Sequence, residues 1–236
     1  MDVARPDDKP TVSPLRAGLT ALRRFWRPFL LIQGAAVALA FAYHFSDPVR
    51  AACIVLAGWK ASGGLLFAAG AGAVSGGLLP EVAKWVARHP RDRQVSRLGD
   101  VVFHTAFFAF AGVVIDGLYR GEARLFGDDA RTATVVTKVA FDQFVFTPPW
   151  QAVIVALFLF RQRGYSWAKM RPALRSGFLS TRVLPLLLPC WCFWIPIVSV
   201  VYALPGPLQF LMFAFALGAW SLIMVFIAGD PEPAPA

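Results

Sequence analysis

The chain has 236 residues, of which 57% are hydrophobic and only 16% charged, and its formal net charge is +9. A soluble globular domain carries about 25% charged residues, so this composition excludes an ordinary soluble domain and predicts an all-α membrane protein, a multi-pass helical bundle. The basic residues stand in short clusters between apolar runs, which indicates membrane topology and not nucleic-acid binding.

The N-terminal part of the sequence is a polar, basic tail of about 25 residues, followed by two apolar spans at about 28–45 and 51–79. A helix that crosses a membrane usually needs about 20 apolar residues. The second span contains a small residue at every fourth position, so a neighbouring helix can approach its backbone closely. These helix-packing residues are Gly64, Ala68, Gly72 and Gly76.

The third span, about 101–118, carries polar side chains in an apolar sequence. At a hundred degrees per residue, His104, Asp116 and Tyr119 fall in one half of the helical wheel together with Gly112. We expect this half to face protein or water. A basic loop at 84–97 precedes the span.

The fourth span, about 132–160, contains Lys138, Asp142 and Gln143 in its first half. A lone charge at the centre of a membrane helix costs about 2.5–3.5 kcal/mol on insertion scales, so something must offset it. Lys138 and Asp142 are four residues apart and share a helix face, where we expect them to neutralise each other. Gln143 lies on the adjoining stripe as a hydrogen-bond partner.

Two consecutive prolines, Pro148 and Pro149, follow in the same span. Each lacks an N–H and clashes with the preceding turn, and the Thr147 hydroxyl can bond a freed carbonyl. The sequence therefore predicts a proline-broken fourth helix made of two half-helices.

The segment 161–182 holds six basic residues and an apolar stripe at helical spacing. The stripe consists of Trp167, Met170, Leu174 and Phe178. This pattern predicts an interfacial amphipathic helix that binds anionic lipid. Two further apolar runs, about 183–204 and 208–228, complete the apolar sequence before a short, acidic, proline-rich tail at 230–236.

Most of the 23 Lys and Arg residues lie in the tail, the 84–97 loop and the 161–182 segment. This bias predicts about six spans with both termini on the cytosol-like side of the membrane. Four crossings plus re-entrant or interfacial helices are the alternative. No repeat is evident, so we predict a single transmembrane domain at 26–229.

The pattern Lys138-x-x-x-Asp142-Gln143-x-x-x-x-Pro148 resembles the central motif of the Mpv-seventeen/PMP family of integral membrane proteins. Members of that family occur in peroxisomal and mitochondrial inner membranes, with relatives elsewhere. The resemblance covers roughly residues 58–228. It is carried most strongly by the four residues of this pattern.

Two further patterns are similar to the same family. Gly112 is followed seven residues later by Tyr119, and Pro205 and Trp220 keep the spacing of the family's last third. Gln209 stands where the family has an arginine, so the chain resembles a divergent member, for which a bacterial cytoplasmic membrane is favoured over a mitochondrial inner or peroxisomal one.

The resemblance implies a small multi-pass membrane protein of a family in which some members behave as non-selective channels, and the intramembrane polar residues support a channel hypothesis. The candidates for lining a pore are Lys138, Asp142, Gln143, Asp116 and His104. The alternative is a structural or scaffolding membrane protein in which these residues only hold the bundle together. The sequence leaves open whether the chain forms a homo-oligomer.

An enzyme is a remote alternative. Ser75 in a small-residue stretch, with His104 on the next span as its base, would suit an intramembrane hydrolase, but the residue two before Ser75 is Ala73 and not the glycine of a nucleophile elbow. The three cysteines lie without nearby histidine or carboxylate, and no phosphate-binding glycine loop is present. We expect no enzymatic activity, no metal, no cofactor and no nucleic-acid partner.

Overall fold

A computed structural model describes residues 14–86, 98–175 and 177–228 of the chain, and helix is the only regular secondary structure in this part. The α-helices in chain order are α1 (Pro14–Phe45), α2 (Asp47–Gly72), α3 (Leu79–Val86), α4 (Leu98–Phe126), α5 (Thr132–Ala140), α6 (Thr147–Gln162), α7 (Trp167–Arg175), α8 (Leu184–Ala203) and α9 (Gly206–Ala228). Three π-helical segments join or extend them, at Ala73–Leu78, Phe141–Phe146 and Leu179–Val183. The predicted all-α class is confirmed.

Four helical stretches are long and apolar enough to cross a membrane, namely Asp47–Val86, Leu98–Phe126, Thr132–Gln162 and Leu179–Ala203. Two shorter apolar helices cover Leu30–Phe45 and Leu208–Leu222. Large apolar side chains such as Leu66 (85% exposed) point away from the protein, an arrangement that suits a lipid environment better than water. The predicted number of six spans requires the two shorter helices to cross as well, and it stays a prediction.

The contacts within the chain define two compact units. The first unit contains Ala140–Ile195 together with described residues 14–27, and the second contains Pro28–Val139 and described residues 196–228. This division is finer than the single domain 26–229 expected from the sequence.

The small-residue stripe of the second unit forms a close helix crossing. Ala68, Gly72 and Gly76 are buried, and a Cβ atom built on Gly72 would lie 3.0 Å from the Cα of Gly112 in α4. A Cβ on Gly77 would come within 2.7 Å of the Cα of Thr105. Because real Cβ atoms do not approach a backbone this closely, the crossing requires residues without side chains, as the stripe predicted.

Gly64, the fourth member of the predicted stripe, does not pack against a neighbour. Its φ and ψ of 52° and −127° interrupt the helix, and a Cβ built on it would meet nothing within 4 Å. Only glycine adopts such a conformation without strain. The prediction of a packing role was wrong for Gly64, and this residue is instead a break inside α2.

The fourth span stays helical through Pro148 and Pro149. Phe146 and Thr147 have helical dihedral angles, with φ and ψ of −83° and −48° and of −61° and −41°. The preceding Phe141–Phe146 segment is π-helical, and the Thr147 N–H donates to the carbonyl of Asp142 five residues earlier. This wide turn accommodates the prolines, so the two predicted half-helices are joined by a π-helical turn and not separated by a break.

Helix α7 occupies part of the segment predicted to be an interfacial amphipathic helix. Met170 and Phe178 of the predicted apolar stripe are buried, at 2% and 9% exposure, in a core cluster with Leu159 of α6, whereas Trp167 is 64% exposed. Most of the stripe therefore packs on the first unit itself, and only Trp167 presents an apolar surface. Lys169 and Arg171 are exposed beside it, and their contact with anionic lipid stays a prediction.

Candidate functional site: a charged cavity in the second unit

Asp116 of α4 lies between two cations. Its Oδ1 atom is 2.6 Å from the Nζ of Lys60 in α2, and its Oδ2 atom is 2.7 Å from an Nη2 of Arg120, one turn further along α4. The Asp116 side chain is only 1% exposed and that of Lys60 14%, whereas Arg120 keeps 49%. The carboxylate is buried and its charge is compensated on both sides.

These three side chains line a cavity of about 370 Å³. Its other polar lining residues are Tyr119, Asp128 and Gln209, and its walls include small residues from α2 and α4. Small side chains leave the space that the cavity occupies, and the charged groups add polar atoms to a surface that is mostly apolar. The cavity can therefore hold water or a small polar solute inside an otherwise apolar helical unit.

A second group of buried polar residues adjoins the cavity. The Nζ of Lys138 is 3.6 Å from Oδ1 of Asp128 and 5.6 Å from the centre of the Tyr202 ring. The Tyr202 hydroxyl donates a hydrogen bond of 2.5 Å to the carboxylate of Glu122, which is 1% exposed. Lys138, itself 1% exposed, thus has an aromatic face and a carboxylate as neighbours, and both stabilise a buried ammonium.

The connection that carries Asp128 is fixed by its neighbour Asp129. The Asp129 carboxylate accepts hydrogen bonds from the Arg131 guanidinium at 2.7 and 2.9 Å, from the Arg131 N–H at 3.0 Å and from the Thr134 hydroxyl at 2.8 Å. The Arg131 guanidinium, and secondarily the Thr134 hydroxyl, hold the pKa of Asp129 well below its usual range. The contacts tie the connection to the start of α5 and so position Asp128 at the cavity.

The structure places the predicted pore residues in different surroundings. Asp116 lines the cavity, and Lys138 contacts the lining residue Asp128. Asp142 and Gln143 are buried in the first unit, where the Thr147 hydroxyl lies 3.4 Å from Asp142 Oδ1. Lys138 and Asp142, which were expected to neutralise each other, therefore have Asp128 and Thr147 as neighbours instead.

His104 lies towards the other end of α4 from the cavity. Its Nδ1 atom is 3.0 Å from Oε1 of Glu81, a buried carboxylate in α3, and Lys84 Nζ contacts the same oxygen at 2.7 Å. This group joins α3 to α4. It is an ion-pair cluster of its own and does not belong to the cavity lining.

Several residues of the cavity and of the adjoining polar group did not emerge from the sequence as site residues. Arg120 follows Asp116 at the i, i+4 spacing of a helical ion pair, a signal that could have identified it. Asp128 lies in a connection rich in acids and bases, where no spacing distinguishes it. Glu122 and Tyr202 are 80 residues apart, and no local pattern connects them.

Within the ranges 14–86, 98–175 and 177–228, no group of three or more His, Cys, Asp or Glu residues is arranged to hold a metal ion. The chemistry of the cavity is that of ion pairs and hydrogen bonds.

No family model matches this chain, and neither a curated protein nor a solved structure matches it. The resemblance to the Mpv-seventeen/PMP family stays a prediction from the sequence motifs around Tyr119, Lys138 and Pro205. The geometry of the cavity is therefore the basis on which a function can be inferred.

Proposed function

We propose that this chain is an integral membrane protein that provides a permeation pathway for small solutes or ions, and that the charged cavity of the second unit is part of that pathway. The observation that carries the proposal is the cavity itself, with Lys60, Asp116, Arg120 and Asp128 in its lining. Ionisable residues inside a membrane bundle are costly, and they typically face a water-filled path or a substrate site.

The position of Asp116 along α4 supports a location within the membrane. With a rise of 1.5 Å per residue, Asp116 lies about 27 Å from the start of Leu98–Phe126 and about 15 Å from its end. A hydrocarbon core about 30 Å thick, centred on this helix, would include Asp116. The ion pairs with Lys60 and Arg120 would then offset the free-energy cost of placing the Asp116 carboxylate in the hydrocarbon core.

The positions of two connections fit an alternating series of membrane spans, either the six predicted or the four of the alternative. Asp128, in the connection after α4, and Gly206, at the start of α9, both line the cavity, and a Cβ on Gly206 would lie 2.9 Å from Oδ1 of Asp128. The two connections therefore lie at the same end of the second unit. Six spans with both termini on the cytosol-like side would place both connections on the opposite side, as the charge bias also predicts.

The break at Gly64 is a further argument for a pathway. Non-helical backbone at membrane depth is tolerated where it is buried in protein or lines a cavity, and interrupted helices mark the substrate sites of many transporters. Gly64 lies one turn after Lys60, the cation that α2 contributes to the cavity.

A scaffolding protein is the second candidate, because the same ion pairs could serve only to join α2 to α4.

A hydrolase is the remote candidate. His104 is next to Glu81, as a catalytic histidine often is next to a carboxylate, and Ser75 lies beside Gly218 of α9. Under either alternative, the wild type and a variant with a filled cavity would both give the solute flux of protein-free membranes.

The test compares flux through liposomes that contain the full chain, its Ala57→Leu variant or its Ala52→Leu variant. Ala57 lines the cavity, whereas Ala52 is an exposed alanine of the same helix that is not among its lining residues. We expect flux of ions or small neutral solutes above that of protein-free vesicles, a several-fold reduction for Ala57→Leu and no change for Ala52→Leu. Flux at the protein-free level for the correctly inserted wild type would contradict the proposal.

A further inference from the structure

The two cations of the cavity have more hydrogen-bond donors than Asp116 uses. An ammonium has three donors and a guanidinium has five, while the contacts of Lys60 and Arg120 in the described structure engage one oxygen of Asp116 each. Both cations line the cavity. Donors therefore remain for an acceptor that enters it.

Two cations at this end of the cavity share one carboxylate. Lys60 and Arg120 share the single carboxylate of Asp116, and Asp128, the other acidic lining residue, has the buried Lys138 as a neighbour. Glu122 is outside the lining and accepts a hydrogen bond from Tyr202. The six charged side chains of the lining and of the adjoining group are therefore neutral overall, but next to Asp116 two cations contact one carboxylate, and an anion bound between Lys60 and Arg120 would be attracted by both.

The walls of the cavity indicate what kind of anion fits. Ala57, Ala61 and Ala123 keep the space open, and the Phe210 ring, 5.3 Å from the ammonium of Lys60, supplies an apolar surface next to the cations. A volume of about 370 Å³ is at the lower end of the range for small-molecule sites, about 300–1,000 Å³. The planar guanidinium of Arg120 suits the two oxygens of a carboxylate.

We propose that the cavity binds a small organic monocarboxylate, whose carboxylate group contacts Arg120 and Lys60 and whose short apolar chain lies against Phe210. This inference rests on the proposed function, since it names the class of solute that the pathway would select. Arg120 is 49% exposed, so it is accessible to a solute that enters from the end of the cavity nearest Asp128.

Equilibrium binding of radiolabelled butyrate to the full chain in phosphatidylcholine nanodiscs tests the inference. We expect saturable binding of one butyrate per chain that unlabelled butyrate displaces. Butyramide has the same shape without the charge, and butylammonium has the opposite charge, so neither should compete at the same concentration. Effective competition by butylammonium would show that Asp128 dominates the site, and better competition by chloride than by acetate would indicate a site for inorganic anions. Either result would overturn the inference.

Variants of two arginines in α4 localise the site. We expect Arg120→Gln to raise the Kd for butyrate about tenfold or more, because a charge-assisted hydrogen bond is lost, and Arg120→Lys to raise it by less. Arg124→Gln, at an exposed position one turn further along the same helix, should leave the Kd unchanged. An equal effect of Arg120→Gln and Arg124→Gln, or none from either, would contradict the assignment. The competition series on the wild-type chain decides the question even if a variant fails to fold.

The binding and flux measurements fail in different ways. Flux without butyrate binding would overturn the carboxylate site and leave the pathway in place. Butyrate binding without any flux would support the site and overturn the permeation proposal.

Discussion

At the scale of single residues, Asp116 determines the electrostatics of the cavity. One carboxylate holds an ammonium and a guanidinium at 2.6 and 2.7 Å, and it is almost completely buried. The two cations differ in exposure, because Lys60 is largely buried together with Asp116 whereas about half of the Arg120 side chain is exposed. Loss of Asp116 would therefore affect Lys60 more than Arg120.

We expect Asp116→Asn to destabilise the protein by about 2–4 kcal/mol, which is below the full cost of breaking a buried ion pair because Arg120 is half exposed. Asp47→Asn is the matched control, since Asp47 pairs with Arg50 at 3.1 Å but is 92% exposed. Its effect should stay below about 1 kcal/mol. Thermal unfolding of both variants in detergent micelles measures the difference, and equal melting temperatures would contradict the structural importance of Asp116.

The sequence identified part of this site. Asp116 and Lys138 stood out because charged residues are rare in apolar spans, and Arg120 could have been found from its spacing to Asp116. The partners Lys60 and Asp128 could not have been assigned, because each ion pair depends on which helices become neighbours. The expected Lys138–Asp142 pairing followed from helix spacing alone, which gives no information about the Asp128 carboxylate after α4.

At the scale of elements, the crossing of α2 and α4 brings the halves of the site together. Lys60 comes from α2 and Asp116 from α4, and the two helices approach through Gly72 and Gly112 further along. A Cβ on Gly72 would lie within 3.1 Å of the backbone nitrogen of Gly112, which cannot move as a flexible side chain could. The crossing therefore holds Lys60 within reach of Asp116.

We expect Gly72→Ala to destabilise the protein by about 1–3 kcal/mol, since α2 and α4 must separate to admit one methyl group. Gly70→Ala is the control on the same helix, because a Cβ at Gly70 meets nothing within 4 Å, and alanine should leave stability unchanged or raise it slightly. Melting temperatures in the same micelles test this pair. A Gly72→Ala variant as stable as Gly70→Ala would show that the helices are not in close contact.

Helices as such were predictable from apolar runs, whereas their interruptions were not. Proline was expected to break the fourth span, yet the Phe141–Phe146 π-helical segment accommodates Pro148 and Pro149 without a non-helical residue at Phe146 or Thr147. The second span, in contrast, is interrupted at Gly64 of α2, which the four-residue spacing had assigned to packing. Spacing shows which positions can share a face, but it cannot show which glycine uses its freedom of backbone conformation.

At the scale of the whole molecule, apolar side chains exposed along the helices occur together with a charged cavity, as is expected of a membrane protein with a polar site. Four helical stretches have the length and composition of membrane spans, and large apolar side chains remain exposed along them. Charged side chains are costly inside a helical bundle that is surrounded by lipid, so we expect them where they stabilise helix packing or contact a solute. The cavity around Asp116 is where these two possibilities can be separated by experiment.

The most direct test of the permeation proposal is flux through a chain that carries a single cysteine at position 57, with Cys53, Cys190 and Cys192 replaced by alanine. A charged, membrane-impermeant methanethiosulfonate reagent should modify Ala57→Cys and reduce flux several-fold, and reduction of the mixed disulfide should restore it. The Ala52→Cys variant, treated in the same way, should keep its flux because Ala52 is outside the cavity lining. Unchanged flux after complete modification of the cysteine at position 57 would contradict the proposed pathway.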